Sequence, residues 1–171
     1  MSTPQDKGFT LVELLVYIMV FSILMGAVTG FAYWAVRANA KARAIREVLS
    51  NAERAMDIMS GEIQKAKGVY TPTSGATQVA LETSENLPTD ETTTYVDIYV
   101  CGTALCIKRE SQNAALITGD SIEIPQLRFS TIGTTTPTVN IDLTVRYKNP
   151  NARPEYNAVV RLNSSVTARG F

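Results

Sequence analysis

One carboxylate, Glu13, interrupts the apolar stretch KGFTLVELLVYIMVFSILMGAVTGFAYWAV that runs from Lys7 to Val36. A carboxylate at the centre of a bilayer-spanning helix costs about 2.5–3.5 kcal/mol on insertion scales, so its presence calls for a partner. Other groups able to do chemistry are sparse. There is no histidine, which removes imidazole acid–base catalysis, Ser–His triads and histidine-ligated metals. Asp90-Glu91 and Asp120/Glu123 are close acidic pairs, but neither stands in a recognisable catalytic pattern. No D-x-D-x-D-G loop suited to calcium occurs. The expectation is therefore no enzyme, no cofactor and no metal. Cys101 and Cys106, in VCGTALCI, lack the second ligand pair of a zinc site. In an oxidising compartment they read as a disulfide closing the Gly102–Leu105 turn, and the alternative is two reduced, buried thiols.

Formal charge is zero over 171 residues, with 16 Lys/Arg against 16 Asp/Glu. That balance lacks the basic excess of a dedicated nucleic-acid binder. Lys108-Arg109, Arg146, Lys148, Arg153 and Arg161 could meet DNA phosphates, but acidic residues offset them, and the plainer reading is a solvated surface. Asn163-Ser164-Ser165 matches the glycosylation tripeptide and is read as accidental.

Glu13 needs an element to hold it. The 23 residues from Leu14 to Val36 carry no charge. As a helix they extend ~35 Å, enough for a ~30 Å hydrocarbon core. The run exceeds a signal-peptide core of ~7–15 residues, and no A-x-A-like site follows it, so the segment is expected to span a membrane. Beyond Val36 the chain continues without proline, and the next glycine is Gly61. Ile45, Val48, Ala52, Ala55, Met59 and Ala66 recur at three- and four-residue steps, with Leu49, Met56 and Ile63 widening the stripe. The spacing predicts one helix from about Phe9 to about Lys67, stopped by Gly68 and YTPTSG. Its second half needs a partner for one apolar face.

After Pro72 the chain turns to short runs of Thr, Val, Ile and Tyr. Expected strands are 78–83, 93–101, 105–110, 114–118, 122–130, 138–147 and 156–168. Val139, Ile141, Leu143, Val145 and Tyr147 alternate with polar residues, as a half-buried antiparallel strand requires. ETSENLPTDETTT and KNPNARPEYN read as exposed loops. An antiparallel sheet with one apolar face and a helix with one apolar face bury each other, which gives an α+β head.

The order G-F-T-L-V-E-L-L in KGFTLVELLVYI, followed by a full-length span and an amphipathic helix, resembles the prepilins, precursors of type IV pilins and type II secretion pseudopilins. The resemblance implies a leader of residues 1–8 and a cut between Gly8 and Phe9 by a prepilin peptidase. It also implies N-methylation of Phe9, and it makes Glu13 an assembly residue that meets the new amine of a neighbouring subunit. An intramolecular pair with Phe9, or a protonated Glu13, are the alternatives. The close motif covers about thirty residues; beyond them the likeness is architectural, with RLNSSVTAR similar to the last strand of minor pilins and larger minor pseudopilins. The expected organisation is the leader, a transmembrane half over 9–36, an amphipathic half over 37–68 and a sheet head over 69–171.

Three features depart from the common family pattern. No proline lies in the membrane half, where Gly26 and Gly30 instead form G-x-x-x-G. Tyr33-Trp34 marks a membrane interface. Arg37, Lys41, Arg43 and Arg46 follow the span, and the positive-inside rule alone would place the head in the cytoplasm. The resemblance implies the opposite orientation, because the leader must face a cytoplasmic-side peptidase. The expected role is a structural subunit, a minor pilin, with other pilin subunits, the peptidase and the membrane as partners. It would be a single-pass protein of the inner or cytoplasmic membrane before assembly, with its head outside, and part of a cell-surface filament afterwards. Alternatives are a minor pseudopilin of a type II secretion system, and a DNA-uptake or adhesion pilin whose head binds a ligand.

Overall fold

The structure, a computed structural model, describes residues 10–70, 76–85, 87, 91–133 and 137–169. The chain divides into two compact units, Met1–Ala40 and Lys41–Phe171. One helix, α1 (Leu11–Lys65), supplies the first unit and begins the second. Phe9, the expected helix start, lies outside the described residues.

In the first unit every large apolar residue of α1 from Leu11 to Val36 is between 50% and 79% exposed. By length and composition this is a helix able to cross a membrane. Its hydroxyls turn inward on their own backbone. Ser22 Oγ donates to the Ile18 carbonyl and Thr29 Oγ1 to the Met25 carbonyl, both at 2.7 Å. Such bonds satisfy both hydroxyl donors within the helix, as a hydrocarbon surrounding requires. At the other end of the span Phe31 and Trp34 lie 6.0 Å apart. Arg37 sits 4.2 Å over the Tyr33 ring and donates to its hydroxyl. A cation over an aromatic face at the end of an apolar run suits the boundary between lipid and water.

In the second unit α1 buries Ala44, Val48, Ala52, Ala55, Met59 and Ile63. The expected stripe holds at Val48, Ala52, Ala55, Met59, Ile63 and Ala66 but fails at Ile45 and Leu49. Ile45 and Leu49 are exposed by 42% and 39%, and Ala44 takes the inward position. Adjacent helical residues point ~100° apart, so the face continuous with Val48 and Ala52 runs through 44, not 45. Three of the six inward residues are alanine, and small side chains let a helix lie close to its neighbour. The helix ends where the Ala66 N–H is shared between the Glu62 and Ile63 carbonyls, and the Lys67 N–H passes to Glu82 at 2.7 Å. The chain thus leaves the helix directly into a sheet.

The expected single sheet is two. The first is an antiparallel meander in the order β1 (Gly68–Val69), β2 (Gln78–Thr83), β3 (Thr94–Cys101), β4 (Ala104–Arg109), β5 (Ala115–Leu116). The second holds β6 (Ile122–Ile132), β7 (Thr138–Tyr147) and β8 (Val159–Thr167), also antiparallel. The division has a local cause in β6, where the register shifts between Glu123 and Gln126 around Pro125. Proline cannot donate to a ladder, and a bulge there bends the strand. On either side of the bend β6 reaches the first sheet's loops: the Ile124 N–H bonds the Thr103 carbonyl at 2.8 Å and the Phe129 N–H the Ala76 carbonyl at 2.9 Å.

Three smaller expectations change. Gly68 opens β1 and does not merely stop the helix. The strand expected at 114–118 is only Ala115–Leu116, because Ile117 and Thr118 turn inward to bond Leu105. The strand expected from 156 begins at Val159, since Pro154–Tyr156 form a 3-10 turn whose tyrosine stacks on Tyr147 at 5.6 Å. Inward-facing Val139, Ile141, Leu143 and Val145 follow the period-two reading, and with Met59, Ile63, Leu81, Ile98 and Leu105 they form one core between helix and sheets. The second unit is thus an α+β domain with a helix packed on antiparallel sheets.

Candidate functional site

The chemistry-bearing residue of the N-terminal stretch is set by a helix cap. Thr10 Oγ1 accepts the backbone N–H of Glu13 at 3.3 Å, and its carbonyl accepts the Leu14 N–H at 3.2 Å. Thr10 is therefore the N-cap and Glu13 the third residue of the first turn. The spacing T-x-x-E is that of a capping box, a signal legible in TLVE that the sequence reading passed over. A carboxylate in the first turn also faces the positive end of the helix dipole. That interaction gives Glu13 a purely local reason to be there. Its side chain is exposed, and among the described residues no Lys or Arg forms an ion pair with it. Gly8 and Phe9 lie outside the described residues.

Cys101 and Cys106 form a disulfide with Cα atoms 5.8 Å apart. They flank the β3–β4 hairpin, where Cys101 faces Ala104 and Cys106 faces Tyr99, so the bridge runs diagonally across the ladder. Gly102, at φ 66°, occupies the first position of the two-residue turn, which only glycine adopts without strain.

Of the two close acidic pairs, only Glu123 has its carboxylate in an ion pair among the described residues. Glu123 accepts Arg146 at 2.7 Å, while the Asp120 carbonyl accepts Lys148. Asp90 lies outside the described residues. Among the described residues no three His, Cys, Asp or Glu side chains gather as a metal site. Of the dispersed basic residues, the fold brings Arg146, Lys148 and Arg153 to one cleft. It separates the others: Arg109 pairs with Glu62 of α1, and Arg161 lies on β8 opposite Thr144. The rest of the helix–sheet seam is also polar at its rim, with Asn51 Oδ1 accepting the Gly119 N–H at 3.0 Å and Ser121 donating to Glu47.

Comparison of the whole chain with curated proteins and with solved structures returns no match. A family model described as the prokaryotic N-terminal methylation motif matches residues 4–29. Those residues include Gly8, Phe9, the Thr10 cap, Glu13 and most of the exposed apolar helix, through Thr29. The chain therefore carries the prokaryotic N-terminal methylation motif, the N-terminal signature typical of type IV pilins and pseudopilins.

Proposed function

We propose that the chain is a structural subunit of a type IV pilus-like filament, a minor pilin, made as a membrane-anchored precursor. It is cut between Gly8 and Phe9 by a prepilin peptidase and methylated on Phe9, and its head lies outside the cytoplasm. The observation that carries this reading is the methylation motif at residues 4–29, laid on a helix whose apolar residues are exposed all round. Such a surface needs lipid before assembly and neighbouring helices after it. The disulfide supports a head in an oxidising compartment. The likeness of RLNSSVTAR, which forms most of β8, to the last strand of minor subunits supports the minor role.

The cut gives Glu13 its partner. The Phe9 amine is four residues before it in the chain, and in a filament the carboxylate pairs with the amine of a neighbouring copy. A desolvated pair of this kind adds little net stability, but an unmatched member commonly costs about 3–5 kcal/mol. Glu13 then acts as a register device, one helical position being matched and its neighbours penalised.

Intact mass of the protein co-expressed with a prepilin peptidase tests the reading. The expected product lacks residues 1–8 and carries one added methyl group. Gly8→Val should block the cut and leave membrane insertion unchanged. A product that keeps Met1 in the presence of active peptidase would overturn the proposal.

A further inference from the structure

We propose that the cleft beside the β7–β8 connection binds a phosphate monoester of about the size of a sugar phosphate. The cleft has a volume of about 660 Å³, within the usual ~300–1,000 Å³ range of small-ligand sites. Three cations, Arg146, Lys148 and Arg153, line it together with a single carboxylate, Glu123. That carboxylate is spent on Arg146, which it accepts at 2.7 Å. Lys148 leans on a neutral partner, the Asp120 carbonyl, and the Arg153 guanidinium joins none of the ion pairs formed among the described residues. The lining thus presents a net two positive charges, the complement of a phosphate monoester, which carries roughly −1.5 to −2 at neutral pH. A guanidinium fork suits phosphate oxygens, while an ammonium adds a point charge. The volume left over takes the organic part, against the rings of Pro150 and Pro154.

Backbone contacts hold the loop that carries these groups before any ligand arrives. Asn149 clasps Arg153 through its backbone, donating to the Arg153 carbonyl at 2.8 Å and accepting its N–H at 2.9 Å. The Lys148 N–H bonds the Ser121 carbonyl at 2.8 Å, and Tyr156 stacks on Tyr147 at the loop's far end. A pre-formed loop leaves only side chains to order on binding, which favours a small ligand. The site depends on neither cleavage nor filament assembly, so its test and that of the proposed function fail separately.

The test uses the full-length chain in a neutral detergent, titrated calorimetrically with glucose 6-phosphate, inorganic phosphate and glucose. The expected result is saturable binding of glucose 6-phosphate, competed by inorganic phosphate, and none of glucose. Arg153→Gln should weaken that binding at least tenfold with an unchanged melting temperature, because the clasp to Asn149 uses only Arg153's backbone. Lys148→Gln should weaken it as well. The proposal is overturned if glucose binds as tightly as its phosphate, if Arg153→Gln binds as well as the parent, or if glucose 6-phosphate does not bind. A single-stranded oligonucleotide that binds where glucose 6-phosphate does not would likewise overturn it, in favour of a polyanion surface.

Discussion

Met59→Ala and Ile45→Ala, made separately, measure which face of α1 holds the head together. Met59 is 0% exposed and lies in the core shared by the helix and both sheets, whereas Ile45 is 42% exposed one residue off the buried stripe. Removing a buried methionine side chain loses its transfer free energy and leaves a cavity, about 2–5 kcal/mol. For a domain of this size a loss of about 3 kcal/mol lowers the melting temperature by roughly 10 °C. Ile45→Ala removes little buried area and places a better helix former on an exposed turn, so its change should stay within about 1 kcal/mol. The assay is near-ultraviolet circular dichroism on heating, in detergent. The head tyrosines contribute to its signal, among them the Tyr147–Tyr156 and Tyr70–Tyr95 pairs, and it is their loss that follows the transition. Far-ultraviolet signal from the membrane half would persist through the transition and mask it. Equal shifts for the two variants, or a larger one for Ile45→Ala, would refute the assignment of the buried face.

Glu13→Val should insert and be cleaved normally but be retained in the membrane fraction and depleted from sheared filaments, with Glu13→Gln behaving similarly. Normal incorporation of Glu13→Val would reject the register role and leave the capping and dipole role standing. The double substitution Cys101→Ala, Cys106→Ala closes no loop in the unfolded chain and should cost about 2 kcal/mol by the chain-entropy relation for a six-residue loop. The hairpin should survive it, because six register pairs join β3 and β4 independently of the bridge. Loss of the near-ultraviolet signal at room temperature would show that the bridge does more than tune the head.

The sequence by itself determined the features whose physics is local. The order of Gly8, Phe9 and Glu13 before an uncharged run, the uninterrupted helix and the strands at Gln78–Thr83 and Thr138–Tyr147 are all readable from neighbours in the chain. A membrane span needs only length and apolarity, and a half-buried strand only alternation. Thr10 belongs with these, since a cap is a contact between residues three apart.

Tertiary structure alone decided what depends on pairing across the chain. Whether β6 joined β2–β4 in one sheet or began a second turned on the bulge at Pro125 and on the loop carbonyls of Ala76 and Thr103, which sequence distance hides. The inward face at the start of the packed helix turned on which of Ala44 and Ile45 lay in line with Val48 and Ala52. Hydrophobicity ranks isoleucine first, but the sheet surface selects by angle. The cleft followed the same logic. Arg146, Lys148 and Arg153 read as scattered surface charges until β7, its loop and the Asn149 clasp folded them around one space. Charges separated along the chain become a site only when backbone closure, driven by burial elsewhere, brings them to a common wall.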